Sequence, residues 1–461
     1  LTEAVYEPLS ATEVGLLPGL GTVTAAEAEV RQRLGRHRKQ PVAMVDIYPF
    51  RRNSGSGQYE KLVSYKLNLI EDQRRGAAGT LRSGTYPGSS KLSSGDWYRF
   101  TVHQDGVYRI TYEFLETMGV TGPVASDQLN IYGNHEGLLP FENSALRPTD
   151  LLPNAIEVQD GGDGTFGPGD ELFFYASDAQ RWAKQSTGCA PWAHVKNVYS
   201  DSASYFVGIG VDPPKRVVNA PLSQDPATVQ VTAFDDRQFI DRDLINLIKT
   251  GRTWFAETFD IVTTYNFAFD MPYLRQQDSV TLVFNGATRT IGTTNSSSFS
   301  ISGGGLSSTF SETGVPSNYN SLYARPFERC FNFLPTGSPL SFSITFNKFD
   351  PVTSIAWLNF LEVYGRRDLK MAGNQLLFQD LASVGAGQVA EYSLDAAQSV
   401  YRVWDVSDPV NAMNVPYTDN GAIKTWKQVN DTVHDFVAFR NSGYLQPKAI
   451  GAVANQNLRG T

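Results

Sequence analysis

The chain has 461 residues, of which 41% are hydrophobic, 12% aromatic and 19% charged, with a formal net charge of -8. It is too apolar for a disordered polypeptide and exceeds the roughly 250 to 300 residues at which a single core stops growing, so roughly two to four folded domains are expected. The acidic balance argues against a broad phosphate-binding face and hence against nucleic acid, and apolar runs such as "AVYEPL" and "ELFFYA" fall far short of the roughly 20 residues of a membrane-spanning helix.

The opening "LTEAVYEPLSATEVG" has neither a charged nor an apolar leader region, so any signal peptide is expected to have been removed. "PVAMVDIYPFRRNSGSGQYEKLVSYKLNLIE" alternates apolar and polar on both sides of "NSGSG", which predicts a hairpin within a propeptide-like segment, 1–71. Residues 72–97 are rich in Gly and Ser and hold few large apolar side chains, the composition of a linker. A small, mostly-β domain is expected over 98–198, with an Asp-Gly turn in "HQDGVY" and a short helix closed by Gly119.

In "DDRQFIDRDLINLIKTGRTWF", Phe239, Leu244, Leu247 and Ile248 fall near one helical face, and Lys249 and Gly251 suit a helix stop. Strict alternation then runs through "FDIVTTYNFAF", "SVTLVFNG", "LSFSITFN" and "SIAWLNFLEVYG". Period-two strands separated by Gly, Ser and Asn turns predict a jelly-roll-like β-sandwich over 199–366. Residues 367–461 read as further strands, and the abrupt "AVANQNLRGT" leads to the expectation that the polypeptide continues. The fold class is therefore mostly β: several small antiparallel units plus a jelly-roll-like sandwich, with few short helices.

Calcium is the sharpest site hypothesis, because Asp160, Asp163 and Asp170 are clustered in the Gly-rich "QDGGDGTFGPGDELFFYA" and a hard cation takes six to eight oxygen ligands. The spacing is poor. Counted as an EF-hand loop from Asp160, the run places Gly162, Gly164 and Pro168 where side-chain ligands belong and Thr165 where the turn glycine belongs; only Glu171 falls on a ligand position. A solvated hairpin tip is the simpler reading. No other cofactor is expected.

Cys189 and Cys330 fit either one disulfide or two buried thiols. His37, His103, His135, His194 and His434 are scattered without metal-ligand spacing, and the only nearby thiol and imidazole are Cys189 and His194. No phosphate-cradling glycine motif is present. Trp254, Tyr265, Tyr273 and Tyr323 are the aromatics that would stack on a sugar if exposed; otherwise they pack a core.

Eight stretches carry a resemblance in order: "WYRFTVHQDGVYRITYEFLETMGV", "LNIYGNHEGLLP", "DGGDGTFGPGDELFFYASDAQRW", "LINLIKTGRTWFAETFD", "LNFLEVYGRRDLKM", "SVGAGQVAEYSL", "YRVWDVSDP" and "VANQNLRG". Together they resemble the region preceding the peptidase domain in the gingipain-like cysteine peptidases that serve as sortases of the type IX secretion system of Bacteroidota. The resemblance implies a cell-surface, outer-membrane-associated protein exported through the periplasm. Its parent would remove the C-terminal sorting domains of cargo and join the cargo to anionic lipopolysaccharide. The implied partners are its own peptidase domain, the outer-membrane shuttle protein PorV, the cargo sorting domains and that lipopolysaccharide.

The family's catalytic His, in a Gly-His-Gly-like context, and its catalytic Cys lie in a following caspase-like domain, and none of the five histidines here precedes Gly. No catalytic residue is carried over, and the chain itself is expected to be non-catalytic. The reading from a different class is a secreted carbohydrate-binding or adhesin-like β-sandwich protein.

Overall fold

The computed structural model describes residues 2–17, 20, 25, 27–37, 40–66, 87–142, 145, 147–185, 187–249 and 253–460. It divides into two units, Leu1–Gly84 and Thr85–Thr461, and at 48% strand against 5% helix it is mostly β, as expected.

In the first unit the strand Tyr59–Lys66 pairs on one side with Thr2–Pro8 and on the other with Phe50–Arg52. The "NSGSG" turn is closed by Asn53, whose Oδ1 accepts from the backbone of Gly55 at 2.9 Å and Ser56 at 3.1 Å. The expected hairpin is thus present but short. Gln40–Tyr48, expected to form its first arm, pairs instead with Glu29–His37.

The expected linker at 72–97 lies outside the described residues as far as 86. Its remainder is structured, because Asp96–Val102 is a strand and Trp97, 2% exposed, packs edge-on against Tyr132 at 4.8 Å. Burial of that indole outweighs the Gly/Ser composition around it.

The second unit holds three nested β subdomains. The outermost has a five-stranded sheet, ordered Pro153–Asn154, Leu129–Tyr132, Ala203–Ile209, Asp96–Val102 and Lys448–Val453. It packs with the three strands Ile156–Gln159, Glu171–Ala176 and Gly106–Thr111 around Phe100, Ile110, Leu115, Ile131, Phe174 and Val207. The helix Tyr112–Met118 starts at Thr111, whose hydroxyl accepts from Phe114 N at 3.2 Å, and stops at Gly119 with φ 106°, the C-cap expected there. Two expected boundaries move. Ala203–Ile209, assigned to the sandwich from sequence, belongs to this sheet, and Lys448–Val453 returns to it from the far end of the chain.

The innermost subdomain is the sandwich. Its eight main strands in chain order are Ala233–Asp241, Thr264–Phe269, Val280–Arg289, Ser296–Gly303, Leu306–Thr313, Arg325–Phe333, Leu340–Asn347 and Ile355–Asp368. One sheet takes them in the order first, eighth, third, sixth and the other in the order second, seventh, fourth, fifth, which is jelly-roll topology. The alternating residues read from sequence, among them Phe267, Phe269, Leu282, Phe284, Phe342, Ile344 and Phe346, fill the space between the sheets.

The helix expected around Phe239 to Ile248 is not formed. Ala233–Asp241 pairs along its whole length with Ile355–Asp368, from Ala233 opposite Asp368 to Asp241 opposite Phe360, while Leu244 and Ile248 remain exposed. Nine residues of ladder on a core sheet outweigh an apolar helical stripe with nothing to pack against.

Between these two lies the third subdomain. It joins Val218–Asn219 and Val229–Val231, which precede the jelly roll, to strands between Gln375 and Arg440, which follow it. Phe234, Phe378, Tyr392, Val403, Trp426 and Phe436 form its core. A separate apolar cluster of Val107, Phe173, Tyr175, Trp404, Val437 and Phe439 fixes it to the outermost subdomain.

Candidate functional site

The Gly-rich stretch forms a hairpin tip. Gln159 pairs with Glu171, so residues 160–170 bridge two adjacent strands. Gly161, Gly162, Gly164 and Gly169 have φ between 66° and 93°, where a side chain would be strained, and this accounts for the glycine content.

Each aspartate closes its own turn: Asp160 Oδ1 accepts from Gly162 N at 3.0 Å, Asp163 Oδ1 from Thr165 N at 2.8 Å, and Asp170 Oδ2 from Gly167 N at 2.7 Å. Phe166, in the middle of the tip, is fully buried in the core below. Among the described residues no group of three or more His, Cys, Asp or Glu side chains converges on a metal position.

Cys189 and Cys330 form a disulfide, with Cα atoms 5.9 Å apart. Cys189 lies between the paired strands Arg181–Lys184 and Trp192–Val195, so the bridge fastens this hairpin to the jelly-roll strand that carries Cys330.

His194, the imidazole nearest Cys189 in sequence, fastens the same hairpin by charge. Its Nδ1 contacts Glu362 Oε1 at 2.6 Å, its Nε2 contacts Asp241 Oδ2 at 2.8 Å, and its ring stacks on Phe239 at 4.5 Å. Burial by itself lowers the pKa of this imidazole, but the hydrogen bonds to Asp241 and Glu362 outweigh burial and raise it. With the sulfur bridged and the imidazole held between two carboxylates, Cys189 and His194 form no Cys–His dyad.

Two serine–histidine contacts occur among the described residues. Ser177 Oγ is 3.0 Å from His135 Nδ1, whose Nε2 faces Asn154 Oδ1 at 2.8 Å, but burial pushes this imidazole down to about 4 and it is a poor base at neutral pH. At Asp405, His434 and Ser407, the His434 Nε2 faces the Val429 carbonyl at 3.0 Å while Ser407 Oγ donates to Asp405 at 2.6 Å. Serine and aspartate share one side of the ring, and the nitrogen that would activate the serine is occupied.

The aromatics considered for sugar stacking are not gathered. Tyr265 packs on the sandwich core and donates to Thr258 O at 3.0 Å. Tyr323 lies over the Arg289 guanidinium at 4.5 Å, Tyr273 faces the Lys370 ammonium at 5.7 Å, and Trp254 is exposed.

Fold and site together define a multi-domain β scaffold with a central jelly roll and bridged cysteines. The sequence matches no protein-family model and no curated protein. A crystal structure described as dimeric latent PorU from Porphyromonas gingivalis matches with a TM-score of 0.69 and 22% identity, over 82% of this chain and 35% of that one. The chain therefore has the fold of a PorU-related region and spans about a third of the length of that PorU chain. A triple jelly-roll protein of an archaeal virus turret also aligns, at 8% identity over 98% of this chain and 97% of that one, but its TM-score of 0.17 carries no argument.

Proposed function

We propose that the chain is the non-catalytic β region of a cell-surface sortase of the type IX secretion system, and that it supports a peptidase domain supplied by the same parent polypeptide. The observation that carries this reading is the likeness to PorU at a TM-score of 0.69 over 82% of the chain. The bridged cysteines agree with it, since a cysteine peptidase needs a free thiolate beside an imidazole. In this reading the parent is a gingipain-like endopeptidase and transpeptidase that removes C-terminal sorting domains and transfers cargo to anionic lipopolysaccharide at the outer membrane. The β region then offers docking surface to the peptidase domain and to PorV.

The test compares the 461-residue chain with a polypeptide extended through a caspase-like domain, each incubated with a cargo sorting domain. The expected result is cleavage by the extended form only, abolished by thiol alkylation, and binding of the isolated chain to the separately expressed peptidase domain. Thiol-dependent cleavage by the chain alone, or no binding to the peptidase domain, overturns the proposal.

A further inference from the structure

A cleft of about 350 Å³ opens where the three subdomains and the disulfide-fastened hairpin meet, within the volume range of small-molecule sites. Six charged side chains line it, but four of them matter. Asp235 pairs with Arg366 and Asp236 with Arg367, each at 2.8 Å, so these two carboxylates are already compensated. Among the described residues neither Arg181 nor Arg237 makes a direct ion pair, although Asp435, Asp236 and Asp105 act on Arg237 at longer range. Arg181 Nη1 and Arg237 Nε are buried without a hydrogen-bond acceptor.

Arg237 is held against two indoles, its guanidinium 4.5 Å from the Trp192 ring centroid and 5.4 Å from that of Trp182. Asp105 and Asp435 line the same cleft. The Gln379 amide, oriented to satisfy its neighbours, donates to Asp435 Oδ1 at 2.6 Å and accepts from Arg237 Nη1. Asp105 accepts from the backbone of Asp178 at 2.7 Å. Burial raises the pKa of both carboxylates, and Arg237 and Arg181, acting at longer range in the opposite sense, do not outweigh it.

Two cations and two carboxylates thus share one cleft without a direct ion pair among them. A simple anion would compensate only the arginines, and a simple cation only the aspartates. We propose that the cleft binds a zwitterion, a free α-amino acid or a dipeptide, with its carboxylate between Arg181 and Arg237 and its ammonium against Asp105 and Asp435. Guanidinium groups suit a carboxylate because they donate in a planar fork, and the indoles pre-set one fork before the ligand arrives. The inference is independent of the proposed parentage.

Titration calorimetry on the full chain tests it with three probes: L-phenylalanine, glycyl-L-phenylalanine and N-acetyl-L-phenylalanine amide. Saturable one-to-one binding is expected for at least one of the first two, and which of them binds more tightly tells the free amino acid from the dipeptide. The blocked probe, lacking both charges, is expected to bind at least about tenfold more weakly, as are the charged probes to Asp435→Asn and Arg181→Gln. Absence of saturable heat with both charged probes at about 10 mM, equal binding of the blocked probe, or unchanged binding in both variants overturns the proposal. The comparison of probes uses the unaltered protein, so it stands even if a variant fails to fold.

Discussion

His194 Nδ1 lies 2.6 Å from Glu362 Oε1, and both side chains are buried, at 4% and 3% exposure. Asp241 lies on the other ring nitrogen and also pairs with Lys196 Nζ at 2.8 Å, so the protonated imidazole shares Asp241 with Lys196, meets Glu362 on its other side, and ties the Arg181–Lys184 and Trp192–Val195 hairpin to the jelly roll. The folded pKa is raised above the ordinary 6.5, so the stabilisation is fully present below that value and is lost as pH rises through the folded value. Burial lowers the pKa of His434, but its hydrogen bond to Asp405 outweighs burial and raises it, which contributes with the same sign. The melting temperature should therefore fall as pH rises above about 6.5. His194→Gln should remove part of that slope and cost about 3–5 kcal/mol at pH 6, because it leaves the buried Glu362 carboxylate without a cation, whereas Asp241 keeps Lys196. A melting curve with unchanged pH dependence in the variant would contradict the assignment.

The disulfide acts on the same hairpin by a different mechanism. It links positions 141 residues apart, for which loop-closure entropy gives a stabilisation of about 4–5 kcal/mol as an upper figure. Cys330 is exposed, so reductant reaches the bridge in the folded state. Alkylation under denaturing, non-reducing conditions should leave the intact mass unchanged, and reduction should lower the denaturation midpoint. Two alkylated thiols without reductant would rule the bridge out.

What was legible in the sequence divides by range. The jelly-roll strands were readable because Phe267, Phe269, Phe342 and Ile344 alternate into one core, and the "QDGGDGTF" tip because its turns are closed by neighbours two or three residues away. The subdomain boundaries were not readable, since Lys448–Val453 finds its partner in Asp96–Val102, more than three hundred residues earlier in the chain. The apolar spacing at Leu244 and Ile248 pointed to a helix because periodicity carries no record of which strand edge lies waiting. His194 was visible as a residue, but Glu362 and Asp241 were not visible as its partners. Arg237, Asp105 and Asp435 reach one cleft from segments with no shared motif.

The hairpin tip gives a third prediction. Asp160 serves its turn through an oxygen acceptor, and an amide oxygen does the same, so Asp160→Asn should melt within about 0.5 kcal/mol of the parent. Calcium in excess over chelator should leave both proteins unmoved, whereas a bound ion would stabilise by mass action. A calcium-dependent rise in melting temperature that Asp160→Asn abolishes would establish ligation at this loop instead.

The last prediction concerns how the subdomains are held. Gln375 behaves as a piece of strand: its Oε1 accepts from Val107 N at 2.8 Å and its Nε2 donates to Val107 O at 2.8 Å and to Gly443 O at 2.9 Å. Val107 belongs to the outermost subdomain and Gln375 to the third, and the apolar cluster of Val107, Phe173, Trp404 and Phe439 surrounds the contact. The Val107 carbonyl has a second donor in Leu445 N at 3.0 Å, so replacing Gln375 by Leu leaves that oxygen bonded and orphans the amide. An unsatisfied buried donor costs about 1–3 kcal/mol. Gln375→Leu should lose that stability and speed hydrogen exchange at Val107, while exchange in the jelly roll, which makes no contact with this amide, stays at its parent rate. Uniform acceleration across all three subdomains would mean that they unfold as one cooperative body and that the contact is not a local joint.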